Sequence, residues 1–188
     1  MFLASLKEAT QALHRKLEHD VDIFHTITTL ESYSRLLQKF LGFYLPVEPR
    51  LLGVQNRYDL QVHLRGRLKS PLLLRDLSEI AAQQVTGVPL CETLPTLTCP
   101  AHVWGCLYVL EGSTLGGTLI SKHITRELGL TAEHGCAFFG SYGSQVGSMW
   151  QMFTCTLEAY VSTHHEEQII IASACETFAV LSQWLLKE

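Results

Sequence analysis

The side chains in this sequence that could do chemistry are nine histidines, six cysteines and a scatter of carboxylates, and their spacing removes most of what they suggest. A zinc hydrolase needs H-E-x-x-H on one helix face, and a carboxylate-bridged di-iron bundle needs repeated E-x-x-H; neither occurs. His164-His165-Glu166-Glu167 has a metal-like composition, but successive helical residues point about 100° apart and cannot converge on one ion. That cluster reads as a polar turn or a helix N-terminus, where carboxylates complement the dipole. Cys91, Cys99, Cys106, Cys136, Cys155 and Cys175 contain no C-x-x-C pair and read as buried free thiols. No G-x-S-x-G turn offers a nucleophile, and no G-x-G-x-x-G loop offers a phosphate cradle. Two features survive. His14 lies one position from Leu13 and one turn from Thr10 and Leu17, beside an apolar helix face. Gly112, Gly116 and Gly117 fall inside a helical pattern, where each costs roughly 1 kcal/mol relative to Ala.

Positioning these residues requires helices. Ser5 and Glu8 form an S-x-x-E capping box, which predicts a first helix starting near Leu6. His19 and His25, in its polar exit, read as solvated or structural. A wide apolar face from Glu31 to Leu45 predicts a core helix that Pro46 and Pro49 kink or interrupt, with a bend near Tyr44. The stretch from Gly53 to Ser70, with Arg57, Arg65, Arg67 and Lys69, reads as a solvated connection. Pro71 opens a leucine-rich helix reaching about Gln84. Proline and glycine punctuate a loop to Pro100. Helices then cover Ala101 to Leu128, stopped by Gly129, about Ser144 to Thr163 after a loop with Phe138, Phe139, Gly140, Tyr142 and Gly143, and Glu166 to Leu186. No stretch alternates as a strand, so the expected fold is all-α, a single-domain multi-helix bundle over residues 1–188 with about six to eight helices.

Composition narrows the class further. The chain is 47% apolar and 17% charged, which excludes a disordered polymer. A formal charge of -4 leaves no basic surplus for nucleic acid. The N-terminus becomes charged too early for a signal peptide, and no uninterrupted apolar run reaches bilayer length, so a soluble protein of the reducing cytoplasm is expected.

On periodicity alone, the glycines admit two readings: tight helix packing, or a flat ligand lying on the helix. His14 likewise reads as a hydrogen-bonded core-edge residue or as a ligand. A lone histidine on one helix and a glycine-bearing helix elsewhere suit a flat iron macrocycle, with imidazole on one face and bare backbone on the other.

Two separated motifs resemble those of the heme oxygenase family in its bacterial form. Leu6-Lys7-Glu8-Ala9-Thr10-Gln11-Ala12-Leu13-His14-Arg15-Lys16-Leu17-Glu18 is similar to the family's proximal helix, with His14 at the heme-iron ligand. Tyr108 through Gly117 is similar to its distal helix, with Gly112 and Gly116 against the heme face and Gly117 beside them; Tyr44 falls where the family has a pocket tyrosine. The resemblance implies that heme, as substrate and cofactor, is opened to biliverdin with release of carbon monoxide and iron. Dioxygen is consumed, and a reductase or ferredoxin donates electrons. It implies that Glu18 orients His14 from one turn later and that Thr10 and Gln11 line the proximal side. Two departures follow from the same comparison. Ser113 stands where mammalian members have an aspartate that organises catalytic water. Many members anchor heme propionates with basic residues in the C-terminal half, but no Lys or Arg lies between Glu127 and Leu186, so Lys7, with Gln11 and Tyr44, takes that role. Arg15, Lys16, Lys122 and Arg126 are candidates for an electron-donor surface or ordinary solvated charges. The alternatives are a non-degrading heme sensor or carrier, and a non-heme enzyme on the same helical scaffold.

Overall fold

The computed structural model describes residues 2–81 and 87–187, and in them every regular element is a helix, with isolated bridges at Thr131. The helices are α1 (Phe2–Val21), α2 (Ile23–Thr26), α3 (Leu30–Tyr58), α4 (Ser70–Ala81), α5 (Pro100–Leu128), α6 (Ala137–Gly140), α7 (Val146–His164) and α8 (Glu167–Leu186), with single 3-10 turns at Leu64–Arg67 and Gly143–Gln145. The expected all-α multi-helix bundle is what forms. The expected helix end near Gln84 lies outside the described residues.

The centre of the bundle is α8. It packs against α5, α1 and α3, whereas α1 and α5 scarcely touch each other. Its composition would allow a bilayer span (mean hydropathy 1.6), but Ile170, Ala174, Phe178, Leu181 and Trp184 are buried inside the bundle. The α5–α8 approach is backbone-close: a Cβ on Gly105 would sit 2.4 Å from the Ile170 carbonyl oxygen, and the buried Ser173 hydroxyl donates to the His102 carbonyl at 2.9 Å.

Three expectations are corrected. Ser5 and Glu8 do not cap α1, which already begins at Phe2 because Phe2, Leu3 and the fully buried Leu6 pack on the core and carry the helix past them. The capping box lies instead at the start of α3, where the Thr29 hydroxyl accepts from Ser32 N–H and the Ser32 hydroxyl accepts from Thr29 N–H. Nor do Pro46 and Pro49 interrupt α3, which runs unbroken through both. Pro46 has no N–H for the carbonyl four residues earlier, that of Gly42. The orphaned Gly42 carbonyl accepts from Cys91 N–H at 2.9 Å, so the 87–99 loop completes the helix from outside. Gly42 itself must lack a side chain, because a Cβ there would lie 2.3 Å from the Pro89 carbonyl oxygen and 2.7 Å from the Trp184 ring. Third, the thiols are not uniformly buried: Cys91, Cys106 and Cys136 are, but Cys155 is exposed.

Helix α4 ties down the segment after α5 through carboxylates. Buried Asp76 accepts the Ala137 and Phe138 N–H groups, each at 2.7 Å, and so caps α6; Glu79 accepts Gly135 N–H at 2.6 Å. The segment predicted as loop around Phe138 is therefore a short capped helix. Its rings pack with Phe40 and Tyr44 at centroid distances of 5.1 and 5.7 Å. At the far end of α5, Gly129 is left-handed (φ 70°) and its N–H bonds the Thr125 carbonyl, as a helix stop requires.

Substitution on α3 should separate packing from propensity. Gly42→Ala is expected to lower unfolding free energy by about 1–3 kcal/mol through overpacking. Gly53→Ala, whose Cβ would meet nothing within 4 Å, is expected to raise it by about 0.4–1 kcal/mol. Urea denaturation of the two variants checks both signs.

Candidate functional site

On α1 the sequence places Lys7, Gln11, His14 and Glu18 at spacings of four, three and four, and all four are exposed on one face, with buried Leu6 and Thr10 along its flank. His14 is 49% exposed, its Nδ1 lies 3.3 Å from a Glu18 carboxylate oxygen, and its ring stands edge-on to Phe178 of α8 at 5.7 Å. Glu18 is thus placed beside one imidazole nitrogen, which leaves the other for a ligand. The Thr10 hydroxyl donates to the Leu6 carbonyl at 2.8 Å and lies beside the phenol of Tyr108, where α1 and α5 come together.

On α5, the residues Gly112, Leu115, Gly116 and Leu119 form one helical stripe in which both leucines are exposed. A Cβ on Gly116 would meet nothing within 4 Å, and one on Gly112 would reach only the edge of Trp150 at 3.6 Å. Neither glycine is required by packing; both leave the outward helix face bare. Gly117 differs. It is buried, and a Cβ there would lie 2.9 Å from the Phe139 carbonyl oxygen, so α6 accounts for its lack of a side chain. Of the two glycine readings left open by periodicity, tight packing applies to Gly117, while Gly112 and Gly116 border open space.

Ser113 is exposed, and its hydroxyl donates back to the Leu110 carbonyl at 2.7 Å. The buried Tyr44 of α3 reaches it from below; burial, followed by the charges of Glu48 and Glu111, pushes the phenol's pKa upward. Tyr44 has too little exposed surface to hold a propionate, so its place is under Ser113 rather than at the rim, which leaves Lys7 and Gln11 as the exposed propionate candidates on α1.

Behind the bare face lies a polar cluster that sequence reasoning missed. Arg67 and Lys69 are not solvated; both are buried. Arg67 makes an ion pair with Glu111, which also accepts the Tyr142 hydroxyl at 3.0 Å. The Lys69 ammonium lies over the Tyr142 ring at 3.7 Å and donates to Ser141 Oγ at 2.9 Å. Glu48 accepts the Lys69 and Ser70 N–H groups at 2.5 and 3.1 Å, and so caps α4 from α3. Burial lowers the Lys69 pKa to about 8, aided by Arg67 and opposed by Glu111 and Glu48. One signal was available: Glu111 is the sole Asp, Glu, Lys or Arg between Pro100 and Ser121, and a lone carboxylate in so apolar a helix needs a buried partner.

The remaining candidates sit apart. His164 ends α7, and His165 and Glu166 form the turn to α8, with His165 left-handed (φ 53°) and the Tyr160 hydroxyl donating to Glu166. An open concavity of about 490 Å³ at His102, Gln168 and Glu176 contains neither His14 nor the glycines. Lys16 pairs with Asp20 and Arg126 with Glu127 on the surface.

A family model described as heme oxygenase matches residues 1–187. A heme oxygenase of Xanthomonas campestris pv. campestris (strain 8004) is 31% identical over 114 residues, covering 60% of this chain and 64% of that protein, so the match spans less than two thirds of that relative. The heme oxygenase structure from Leptospira interrogans is similar with a TM-score of 0.80 at 21% identity over 99% of both chains. The NO- and CO-bound heme oxygenase from Neisseria meningitidis gives 0.79 at 23% identity, covering 98% of this chain and 90% of that one. Heme oxygenase 2 from Chlamydomonas reinhardtii, solved without heme, gives 0.79 at 14% identity over 98% and 95%.

The buried ammonium has a pH signature. Lys69 titrates near 8 in the folded chain against 10.5 for a free side chain, so between those values the unfolded chain binds more protons and stability rises with pH. Lys69→Met is expected to remove that rise, measured as the difference between wild-type and variant urea midpoints from pH 7.5 to 9.5.

Proposed function

The chain belongs to the heme oxygenase family, and from that membership we propose that it opens heme oxidatively to biliverdin, releasing carbon monoxide and ferrous iron with dioxygen and electrons from a reductase or ferredoxin. The observation that carries this reading is the pair of half-sites flanking α8: an exposed imidazole with Glu18 beside it, and the bare stretch of α5 at Gly116. A flat iron macrocycle fits them, because it needs one nitrogen ligand, a face without side chains, and apolar contact of the kind Phe178, Leu115 and Leu119 offer. Bound there, heme supplies both the iron that activates dioxygen and the ring that is cleaved.

The chain's own residues do the rest. His14 would hold the iron through one ring nitrogen, with Glu18 beside the other to set the ring orientation. Gly112 and Gly116 would bring bare backbone against the bound ring and keep side chains out of that space. Ser113, with Tyr44 beneath it, supplies a hydroxyl at that face. Thr10 fixes α1 to Tyr108 one turn before His14, and Lys7 and Gln11 meet the propionates at the α1 rim. Residues 1–188 act as one cytoplasmic domain, with Arg15, Lys122 and neighbouring cations available to an acidic electron donor.

A second reading, a heme carrier or sensor without turnover, is favoured by Ser113, whose proton is already committed to Leu110. Hemin titration followed by ascorbate or reductase separates the two. The expected result is a histidine-ligated Soret band that bleaches to a biliverdin spectrum; an unbleached band supports the carrier. His14→Ala is expected to lose that band. Gly116→Ala should raise the stability of the heme-free protein by about 0.4–1 kcal/mol, since nothing opposes the methyl, and weaken hemin binding by roughly tenfold, about 1.4 kcal/mol. A variant that binds hemin as tightly as wild type would contradict the placement of heme on α5.

A further inference from the structure

Helices α5 and α7 meet along a row of aromatic rings. On α5, Trp104, Tyr108 and Gly112 follow at intervals of four, and on α7, Trp150, Phe153, Tyr160 and His164 share one stripe. Trp150 stands at the inner end, its outer ring edge 3.6 Å from where a Cβ on Gly112 would lie. From there the ring centroids step 5.6 Å to Phe153, 5.8 Å to Trp104 and 5.5 Å to Tyr160. His164, exposed at the end of α7, lies flat on Tyr160 at 4.1 Å and 8°. Tyr108 branches from Trp150 at 5.6 Å. Such contacts stabilise the α5–α7 interface, but packing does not account for how the polar atoms of the row are placed. The Trp104 Nε1–H is buried without an acceptor among the described residues. An indole oxidised there has no protein group to take its proton, so it remains a strongly oxidising cation and passes the charge on. The Tyr160 hydroxyl donates to the Glu166 carboxylate, so this phenol has a base in contact with it. Tyr108 has no such carboxylate among the described residues. The row therefore starts beside the bare face of α5 and ends on the phenol best placed to release a proton as it loses an electron.

We propose that this row is an escape path for oxidising equivalents, leading from the bare face of α5 through Trp150 and Trp104 to Tyr160 at the surface. Resting on the heme oxygenase reading above, the oxidant is heme oxidised by peroxide outside productive turnover. Trp150 gives one electron to that oxidant. Trp104 refills Trp150 across Phe153, whose ring is a bridge and is not itself oxidised. Tyr160 refills Trp104, its phenolic O–H bond breaks, and the proton goes to Glu166. The heme is then one electron more reduced, Tyr160 is a neutral phenoxyl and Glu166 is protonated. An external thiol or ascorbate returns one hydrogen atom to Tyr160, and Glu166 releases its proton to water.

The first test uses the full chain without heme. Azide radicals made by pulse radiolysis oxidise indoles in preference to phenols, and Trp150 is the half-buried indole of the row. The indolyl absorption band should decay as the phenoxyl band rises, at a rate independent of protein concentration. Tyr160→Phe, which keeps the ring, should lose most of the phenoxyl. Glu166→Gln, which keeps an acceptor but no base, should slow its rise. Undiminished phenoxyl in Tyr160→Phe, an unaltered rise in Glu166→Gln, or a rate that scales with protein concentration overturns the proposal. Should a variant fail to fold, spin trapping in the wild type decides: an adduct mapped to Tyr160 supports the path, and adducts confined to Tyr108 or the indoles overturn it. With hemin bound, peroxide should give a freeze-trapped tyrosyl spectrum that Tyr160→Phe lacks, and the same spectrum in both proteins overturns the path. Loss of the heme-free transfer leaves the heme reading standing, whereas failure of the hemin titration with that transfer intact overturns only the heme reading.

Discussion

The buried pair of Arg67 and Glu111 is the interaction on which the arrangement of α5 depends. The outward turn of α5 has no side chain at Gly112 and Gly116, so at those positions it is not held from outside by apolar interdigitation. It has to be fixed from behind, and directional polar bonds do this more sharply than packing does. Glu111 sits one residue before Gly112, so the turn that carries the bare face is the turn anchored by the ion pair. Removing one partner of such a pair typically costs about 3–5 kcal/mol, because the other charge stays buried alone. The same logic recurs nearby: Glu48 holds the start of α4, and Asp76 holds the start of α6. Buried carboxylates thus link α3, α4, α5 and α6 into one polar layer behind the glycines.

The apolar side of the molecule is organised by α8. Its hydrophobicity reaches bilayer values because several helices cover it, and one of its residues, Phe178, also supports the His14 ring. The imidazole and the glycine face are therefore referenced to a common helix rather than to each other. Their separation is set by two independent packings, α1 on α8 and α5 on α8, with Thr10 and Tyr108 as the point where the flanks meet.

Most of the helices were legible because their signals are local: apolar spacing, Gly129 as a stop, and His14 with Glu18 one turn apart on an exposed face. Gly112 and Gly116 were legible as a pair, although only the structure separates them from Gly117, whose constraint comes from Phe139, 22 positions away. What sequence reading missed is non-local in each case. Arg67 and Lys69 look solvated until a carboxylate 44 residues later and the Tyr142 ring enclose them. The run of α3 through two prolines is unreadable without the loop that supplies the lost donor. Ser5 and Glu8 have the right letters for a cap, but burial of Leu6 and the packing of Phe2 extend the helix past them.

The contact of Cys91 with Gly42 gives Pro46 an unusual place in the inheritance of this fold. A proline inside a helix is ordinarily a tolerated defect, but here the acceptor that it leaves open is a docking port for a loop almost fifty positions downstream. Restoring an N–H at position 46 would put a helical donor in competition with Cys91 for one carbonyl, and giving position 42 a side chain would displace the Pro89 backbone. Residues 42 and 46 are therefore tied to the backbone of residues 89–91, although nothing in their separate neighbourhoods marks them as related.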